Sequence, residues 1–598
     1  MKKIFFTITF LAVLSLNAQE FVVPVQSYYT NQNKSKNSIS DTLQLPFFID
    51  FSADYQMNNF EDRYITISQS SAYLPPSIGV AVFDALDNNG NYYASGYQQY
   101  TIADYITSKP INLTVQPSQN VYFSFKYLPK GYLDAPEEQD SLVLQFYSPI
   151  DDNWQTVWKS ENYSTTKFTT EILKIDQSKF LQKGFKFRFF NYISTSPNTP
   201  NPSFVGNCDF WFVDYIYINK NRTATDTSFA DIAFQMPLKF KLDDYQTLPY
   251  SHYKKNASKI NHNAEIYFRN NDKKIRQIDS LNIIFEEKNN LDYSKLLFGS
   301  FALVANNNSS IKRKNINFSF PTNINTDSLY YIIKTILKTD TYDSVCNNII
   351  YQSKALSNYY AYDDATAENA YGLFGEGSMF AFVAQKFYTF EKDNLIGIDV
   401  YFNKPFNNQI PPYFQPVVWS NSPQSTPDTI IYIEQNPFEL NLTKLNGFQR
   451  FLFAESVVVS DTFYIGWRKI SEQLENVGLD VNSTSENYKY YLINNGLWQK
   501  SAVSGVLMIR PIFGDKVVKN SKSQKINFYP NPANNFLNIK LTKENTLIQI
   551  YDLSGRIRIS LKTQSSVETI DISTLEKGVY ILKTIEGNEL KTAKFIVN

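Results

Sequence analysis

Apolar and polar residues alternate along most of the chain in short bursts. The segments "NVYFSFKYL", "DSLVLQFYS" and "GFKFRFFNY" each have period-two spacing and lie between turn-forming residues such as Asn, Asp, Gly and Pro. In an antiparallel strand this alternation places one row of side chains in a core and the other row in solvent. The pattern predicts an all-β protein built from several antiparallel sandwiches, jelly-roll and immunoglobulin-like, in tandem.

Polar stretches interrupt the strand pattern and predict the domain boundaries. Residues 45–222 have the length of a jelly-roll sandwich, and residues 223–356 have the length and strand spacing of an immunoglobulin-like sandwich. Residues 357–513 are predicted to form a second jelly-roll-like sandwich. The polar residues 19–44 are predicted to be a flexible lead-in to the first of these domains.

The chain ends in a short unit that is predicted to fold alone. Residues 514–524 are polar and read as a linker, and residues 525–598 contain several short alternating runs, for example at Leu537, Ile539 and Leu541. Such runs joined by tight turns predict a small immunoglobulin-like sandwich.

The first residues carry the features of a secretory signal peptide. A basic start at Lys2 and Lys3 precedes an apolar run from Ile4 to Leu16, and the small residue Ala18 is followed by polar residues. Residues 1–18 are therefore predicted to be removed by cleavage after Ala18. No later apolar run reaches about 18 residues, so the mature chain is expected to have no transmembrane segment.

Composition argues against several classes of function. Among 598 residues, Lys plus Arg and Asp plus Glu both total 57, so the chain has no net charge that would favour binding to nucleic acid. No nucleic acid is expected as a partner. With only two cysteines, the chain is not expected to depend on a disulfide framework. The two histidines, His252 and His262, lie in no recognisable nucleophile or metal motif.

Carboxylates provide the remaining candidate chemistry. A glycosidase needs only two of them, and a sandwich can hold such a pair, so a glycan-directed hydrolase stays open as an alternative. Calcium is the other hypothesis, because hard cations bind carboxylate and carbonyl oxygens. In the first sandwich, Asp50 and Asp62 near its start and Asp209 and Asp214 near its end are expected to converge on one ion that ties the first and last strands together. In the third domain the candidates are Asp363, Asp364 and Glu368.

The terminal unit resembles a known family in the order and spacing of its motifs. "FYPNPANNFLNI", "IQIYDLSGRI", "LEKGVYILKT" and the closing "KTAKFIVN" are similar to the type A C-terminal sorting domain of the type IX secretion system over residues 525–598. The residues that match its motifs are Tyr529, Pro530, Asn531, Pro532, Asp552, Gly555, Gly578 and Tyr580. This chain ends in Val597 and Asn598, whereas many family members end in a basic residue.

The resemblance implies two export steps. The Sec machinery would carry the chain into the periplasm, and the type IX translocon would then recognise the folded terminal domain. That domain is usually cut off, and the cargo is released or attached to surface polysaccharide. The polar linker at residues 514–524 would give a protease exposed backbone to cut.

Residues 45–222 resemble, less specifically, MAM-type and lectin-like sandwiches. The segments that carry the similarity are "FIDFS", "PPSIGVAVFDALDNNGNYY", "DSLVLQFYS" and "DFWFVDYIYIN". These modules bring no activity with them. The sequence therefore favours a secreted or surface protein with a non-catalytic binding, adhesive or structural role, with a glycan or surface polysaccharide as candidate partner.

Overall fold

The computed structural model describes most of the chain outside its first eighteen residues. It covers residues 19–24, 42–87, 93, 100–116, 118–133, 135–161, 165–194, 210–287, 291–303, 309–339, 346–404, 410–483, 488–493, 496–515, 526–541, 546–552, 557–563, 565, 567–586 and 589–598. Ala18, Asp209 and Gly555, singled out from the sequence, lie outside the described residues. Strands make up 56% of the structure and helices 4%, and the sheets are antiparallel, which confirms the predicted all-β class.

The chain divides into two compact units, Met1–Val517 and Val518–Asn598. The sheets of the first unit form three groups along the chain, which we call the first, second and third sandwiches, and the second unit contains the terminal sandwich.

The first sandwich consists of two six-stranded sheets. One has the order β10-β9-β12-β6-β3 with β7 beside β12, and the other the order β11-β8-β13-β5-β4 with β2 beside β13. Strand β1 (Gln19–Pro24) precedes this sandwich in the chain and belongs to the twelve-stranded sheet described below. The strands of the first sandwich are β2 (Phe47–Ile49), β3 (Phe60–Tyr64), β4 (Thr66–Ser68), β5 (Val80–Phe83), β6 (Thr101–Ser108), β7 (Ile111–Asn112), β8 (Val121–Pro129), β9 (Ser141–Ser148), β10 (Asn153–Lys159), β11 (Thr169–Ile175), β12 (Lys183–Ile193) and β13 (Trp211–Lys220).

Aromatic side chains fill the space between these two sheets. Phe123 on β8 contacts Phe146 on β9 and Phe187 on β12, with ring centroids 5.3 and 5.0 Å apart. All three rings are buried. Because alternate residues of a strand face opposite sides, burial of Phe187 and Phe189 turns Lys186 and Arg188 to the outer side of their sheet.

The second sandwich pairs a four-stranded sheet (β14-β16-β15, with β20 beside β16) with a five-stranded one (β18-β17-β21-β22, with β19 beside β17). Its elements are β14 (Ile232–Phe234), β15 (Lys239–Leu242), α1 (Tyr250–Asn256), β16 (His262–Asn270), β17 (Arg276–Glu287), β18 (Leu291–Phe298), β19 (Phe301–Leu303), β20 (Ser309–Asn315), β21 (Leu329–Thr339) and β22 (Ile349–Leu356). One hydrophobic cluster runs from this sandwich into the third without a break.

The strands of the third group, called the third sandwich, are hydrogen-bonded into a single twelve-stranded sheet that includes β1 and has the main order β1-β23-β29-β24-β28-β25-β26. Two long strands, β24 and β28, pair with each other along most of their length. The strands are β23 (Asn369–Phe374), β24 (Phe382–Phe402), β25 (Tyr413–Asn421), β26 (Pro427–Ile433), β27 (Phe438–Glu439), β28 (Gly447–Arg468), β29 (Val477–Asp480), β30 (Lys489–Leu492), β31 (Gln499–Lys500), β32 (Val506–Leu507) and β33 (Ile509–Phe513).

The start of the region expected to be a flexible lead-in forms a strand. β1 pairs antiparallel with β23, from Gln19 opposite Phe374 to Pro24 opposite Asn369. The Tyr371 hydroxyl donates to Glu20 Oε1 at 2.6 Å, and the Ala502 backbone N–H donates to Glu20 Oε2 at 3.3 Å. The expectation rested on local polarity, whereas this strand is positioned by partners some 350 residues away in the chain.

The terminal unit is a small sandwich of a three-stranded sheet (β34-β35-β38) and a four-stranded sheet (β37-β36-β39-β40). Its strands are β34 (Asn527–Tyr529), β35 (Phe536–Lys540), β36 (Leu547–Tyr551), β37 (Ile557–Lys562), β38 (Val567–Asp571), β39 (Gly578–Glu586) and β40 (Glu589–Val597). Leu537, Ile539 and Leu541 are buried in its core, as their alternation predicts.

Candidate functional site

The outer side of the β10-β9-β12-β6-β3 sheet combines aromatic and polar side chains. Register places Asp62 beside Thr107, Thr107 beside Arg188, Arg188 beside Gln145 and Gln145 beside Thr156, so that one polar row crosses all five strands. Aromatic residues lie in the rows on either side. We call this surface the Arg188 face; its residues are Asp62, Tyr64, Tyr105, Thr107, Gln145, Tyr147, Trp154, Thr156, Lys186 and Arg188.

Arg188 lies at the centre of the face and is held in place on several sides. Its guanidinium carbon lies 4.5 Å from the centroid of the Trp154 ring and 5.6 Å from that of Phe190. One terminal nitrogen donates to Gln145 Oε1 at 2.6 Å. Partial burial lowers the pKa of Arg188, while the charges of Tyr105 and Asp62 act in the opposite direction. Because a guanidinium has so high a pKa, it stays charged.

Two pairs of aromatic rings flank the guanidinium. Tyr147 and Trp154 have centroids 5.4 Å apart on one side, and Tyr64 and Tyr105 are 4.4 Å apart on the other. The four rings are partly exposed, as is Arg188. The aromatic rings have only two side-chain torsions each, and Arg188 is already held by Trp154 and Gln145, so this arrangement is organised before any ligand arrives.

Lys186 extends the face beside Tyr147. Its ammonium lies 5.2 Å from the centroid of the Tyr147 ring and makes an ion pair of 2.7 Å with Glu61. The positive charge of Lys186 is therefore largely neutralised by Glu61, which leaves Arg188 as the central cation of the face.

The four acidic residues predicted to bind calcium do not all lie together. Asp50 and Asp214 are fully buried on either side of Ser77: the Ser77 hydroxyl donates to the Asp50 carbonyl at 2.9 Å, and the Ser77 backbone N–H donates to Asp214 Oδ2 at 3.2 Å. Burial, and then the charge of Asp50, raise the pKa of Asp214 well above its usual range. Asp62 lies on the opposite sheet, in the Arg188 face.

The Asp50 carboxylate is occupied by protein donors. Gln56 Nε2 donates to it at 2.7 Å and Asn347 Nδ2 at 2.9 Å. Within the described ranges no group of three or more His, Cys, Asp or Glu side chains is arranged to hold a metal ion. Calcium at Asp50 and Asp214 stays a prediction.

A second group of carboxylates lies where the three sandwiches meet. Glu368 and Asp480 are almost fully buried, and Asp364 is half-buried beside them. Burial, and then the charge of Asp364, raise the pKa of Glu368 to about 8. Burial also raises the pKa of Asp480 well above its usual range, with the charges of Asp364 and Glu368 adding to the effect. Asp363, the other candidate here, makes an ion pair with Arg510.

A single hydroxyl joins two of these carboxylates. Thr366 Oγ1 lies 2.6 Å from Asp364 Oδ1 and 3.0 Å from Glu368 Oε1. A hydroxyl has one proton to donate, and the shorter contact is the one to Asp364. The contact between Thr366 Oγ1 and Glu368 Oε1 is a hydrogen bond when the Glu368 carboxyl is protonated and donates to the hydroxyl oxygen. The raised pKa of Glu368 agrees with this protonation.

The two histidines are structural. His252 is 1% exposed, and its ring nitrogens lie 2.8 Å from the Tyr360 hydroxyl and 2.8 Å from Asp393 Oδ2. His262 is buried against Tyr253, and burial lowers its pKa to about 4.

The residues of the sorting motif secure the entry to the terminal sandwich. Asn531 Oδ1 accepts from the Ile596 N–H at 2.9 Å, and the Ala533 N–H donates to the Ile596 carbonyl at 2.8 Å, so the motif is bound to the last strand. Tyr529, Pro530 and Pro532 are exposed around it. The buried Tyr580 on β39 donates through its hydroxyl to the Glu576 carbonyl at 2.9 Å, and Asp552 pairs with Arg558 at 3.6 Å.

Residues 527–598 match the family model described as the secretion system C-terminal sorting domain. The chain therefore carries a type IX sorting domain, as its motifs predicted, and is exported to the cell surface or the extracellular space. Along the described residues, no helix is both long and apolar enough to cross a membrane.

Comparison of the whole chain with solved structures yields distant likenesses. No curated protein matches it. Among solved structures, it is similar to a calcium-binding mutant of β-glucuronidase 2 from Bacteroides uniformis (10% identity, TM-score 0.21, covering 52% of this chain and 30% of that one). It is also similar to a putative β-galactosidase from Bacteroides fragilis (13% identity, TM-score 0.20, covering 47% and 36%). The BSP domain of a biofilm-associated protein matches with 10% identity and a TM-score of 0.14, covering 85% and 97%.

The chain spans about a third of the length of these glycosidases.

Proposed function

We propose that this chain is an exported, non-catalytic binding protein whose first sandwich holds a glycan against the Arg188 face. Export rests on the sorting domain at residues 527–598. The observation that carries the binding proposal is the Arg188 guanidinium, held between aromatic rings and beside Gln145 in the middle of a partly exposed sheet surface.

The chemistry of this face suits a sugar. Apolar C–H groups of a sugar ring pack on aromatic faces, and hydroxyl groups accept from Arg and exchange hydrogen bonds with Gln, Thr and Asp. Asp62, Arg188, Gln145 and Thr156 provide the donors and acceptors, since Thr107 of the same row is buried, and Trp154, Tyr147, Tyr64 and Tyr105 provide the rings. A small number of anchoring side chains, held in place before the ligand binds, is typical of binding sites.

A glycan array probed with the mature chain, residues 19–598, tests the proposal. We expect selective binding that Trp154→Ala and Arg188→Ala each weaken about tenfold or more, because such anchors contribute about 2 kcal/mol. Tyr351→Ala is the matched control, since Tyr351 is 63% exposed on a different sandwich. Equal binding by all four proteins, or no binding to any glycan, would count against the proposal.

A glycan-directed hydrolase is the second candidate, supported by one observation. Glu368 has a pKa of about 8 and shares the Thr366 hydroxyl with Asp364, which pairs a protonated acid with a carboxylate. A polysaccharide hydrolysis screen tests it. If the chain is a hydrolase, reducing ends appear with the wild type and disappear with Glu368→Gln, whereas Glu376→Gln, an exposed carboxylate of the same sandwich, keeps full activity.

A further inference from the structure

A further pair of aromatic rings continues the Arg188 face along strand β12. This strand pairs with β9 without interruption from Lys186 to Tyr192, so Lys186, Arg188, Phe190 and Tyr192 share the outer side of the sheet. The Tyr192 ring stacks on that of Tyr100, with centroids 4.7 Å apart and an angle of 6° between the ring planes. We call Tyr100 and Tyr192 the Tyr192 pair.

The Tyr192 pair offers an exposed aromatic surface that is continuous with Arg188. In a parallel stack each ring has one face turned away from its partner, and Tyr100 is 51% exposed. The centroid of the Phe190 ring lies 5.4 Å from that of Tyr192 and 5.6 Å from the Arg188 guanidinium carbon. Phe190 is itself buried. It therefore supports the side chains on both sides of it, and no gap separates the guanidinium from the Tyr192 pair.

The two ends of this surface are far apart. Tyr147 lies opposite Lys186 on β9 with the Trp154 ring beside it, and these two rings mark the end away from the Tyr192 pair. Six residues of β12 separate the two levels, and at about 3.3 Å per residue their backbone positions are about 20 Å apart. Contact requires heavy atoms within about 4.5 Å of each other, so neither one sugar ring nor two linked rings can touch both ends.

We propose that the ligand of the first sandwich is a linear glycan chain of at least three sugar residues, which runs along β12 from the Tyr147 and Trp154 rings to the Tyr192 pair. This inference rests on the proposed function, because it names the kind of glycan that the Arg188 face holds. Sugars at the two ends pack on aromatic rings, and the sugar between them exchanges hydrogen bonds with Arg188 and Gln145. Since each end adds contacts, affinity should rise with chain length until the surface is covered.

Calorimetric titration of the mature chain, residues 19–598, with fragments of one to six sugar residues tests the inference. The probes are the cello-, xylo-, manno-, malto- and galacturono-oligosaccharides. We expect at least one series to bind, with the hexasaccharide about tenfold or more tighter than the monosaccharide. Tyr100→Ala and Tyr192→Ala should each weaken hexasaccharide binding about fivefold or more and leave disaccharide binding unchanged, because a disaccharide on the Arg188 face does not reach the pair.

Tyr73→Ala is the matched control. Tyr73 is 43% exposed and belongs to another tyrosine pair, with Tyr132, away from the outer side of β12. The control should bind the hexasaccharide as the wild type does. Tyr100 is exposed and precedes β6, so a folded Tyr100→Ala chain decides the outcome even if Tyr192→Ala does not fold.

Failure of this inference and failure of the Arg188 face are distinguishable. The linear chain is overturned, and the face is not, if Trp154→Ala weakens binding but the monosaccharide binds as tightly as the hexasaccharide. The same holds if Tyr100→Ala leaves hexasaccharide affinity unchanged, or if the array finds a ligand while no linear fragment binds. Absence of binding both on the array and in the titrations would overturn the two proposals together.

Discussion

Glu368 is the residue at which burial has the clearest consequence. Asn482 Nδ2 donates to its Oε1 at 2.8 Å and the Val481 N–H to its Oε2 at 3.1 Å, but these contacts do not offset the loss of solvent. Its pKa is about 8 in the folded chain, against 4.5 for an ordinary glutamate. The folded state therefore holds a proton that the unfolded state releases over most of the neutral range.

This difference predicts a pH-dependent stability. Below about pH 4.5 both states are protonated and the stabilising contribution is complete; it is lost as pH rises through the folded pKa near 8, because only the folded state still binds the proton. Thermal unfolding between pH 5 and pH 8.5 should show a fall in Tm that is shallower for Glu368→Gln. Glu376→Gln should keep the wild-type slope, and equal slopes for all three chains would refute the assignment.

Which candidate residues lie close together was only partly predictable from the sequence. The carboxylates Asp50 and Asp214 were singled out and are near each other, but nothing local indicated that Asp62 lies on the other sheet. Arg188 and Trp154 form one face because strands β10, β9 and β12 pair in register, and pairing partners cannot be deduced from period-two alternation alone. Alternation did indicate which side of β12 each residue occupies, since Phe187 is apolar and Arg188 charged.

At the scale of elements, β1 has the largest separation in sequence from its partner. It covers the edge of β23 and inserts Glu20 beside Tyr371, whose pKa is raised well above its usual range by burial and then by the charge of Glu20. An uncovered edge strand exposes unpaired backbone groups and promotes association. The contact thus closes the third sandwich with the first residues of the predicted mature chain.

Removing β1 should destabilise the third sandwich. A chain that begins at residue 25 loses the backbone hydrogen bonds to β23 and the Tyr371 contact, and we expect its free energy of unfolding to fall by about 2–4 kcal/mol. Chemical denaturation followed by tryptophan fluorescence measures the change. The control is a chain beginning at Gln19 with Glu20→Gln, which keeps the strand and should lose about 1 kcal/mol or less. Unchanged stability on removing residues 19–24 would show that β1 does not contribute.

At the scale of the whole molecule, the terminal sandwich is a separate unit with its own core. Ile548, Ile550, Leu582 and Phe595 are fully buried within it, and Asn531 secures the entry segment to the last strand. This independence explains why the terminal domain could be predicted from its motifs, whereas the continuous core of the second and third sandwiches could not. A unit that is recognised during export has to fold without its cargo.

Deletion of the terminal sandwich should block the second export step. A chain lacking residues 525–598 should accumulate in the periplasm, because the translocon has no folded domain to recognise. Cell fractionation and surface labelling of the two chains provide the measurement, with the unchanged Sec-dependent step as an internal control. Normal surface appearance of the shortened chain would contradict a sorting role for this domain.

The exported chain is proposed to bind a glycan through the Arg188 face without cleaving it. The most direct test is a calorimetric titration of the mature wild-type and Arg188→Lys chains with the glycan selected by the array, followed by assay of reducing ends. Lys keeps the charge and loses the planar stacking on Trp154, so we predict binding about tenfold or more weaker with no reducing ends from either chain. Equal affinity of the two chains, or release of reducing ends by the wild type, would contradict the account.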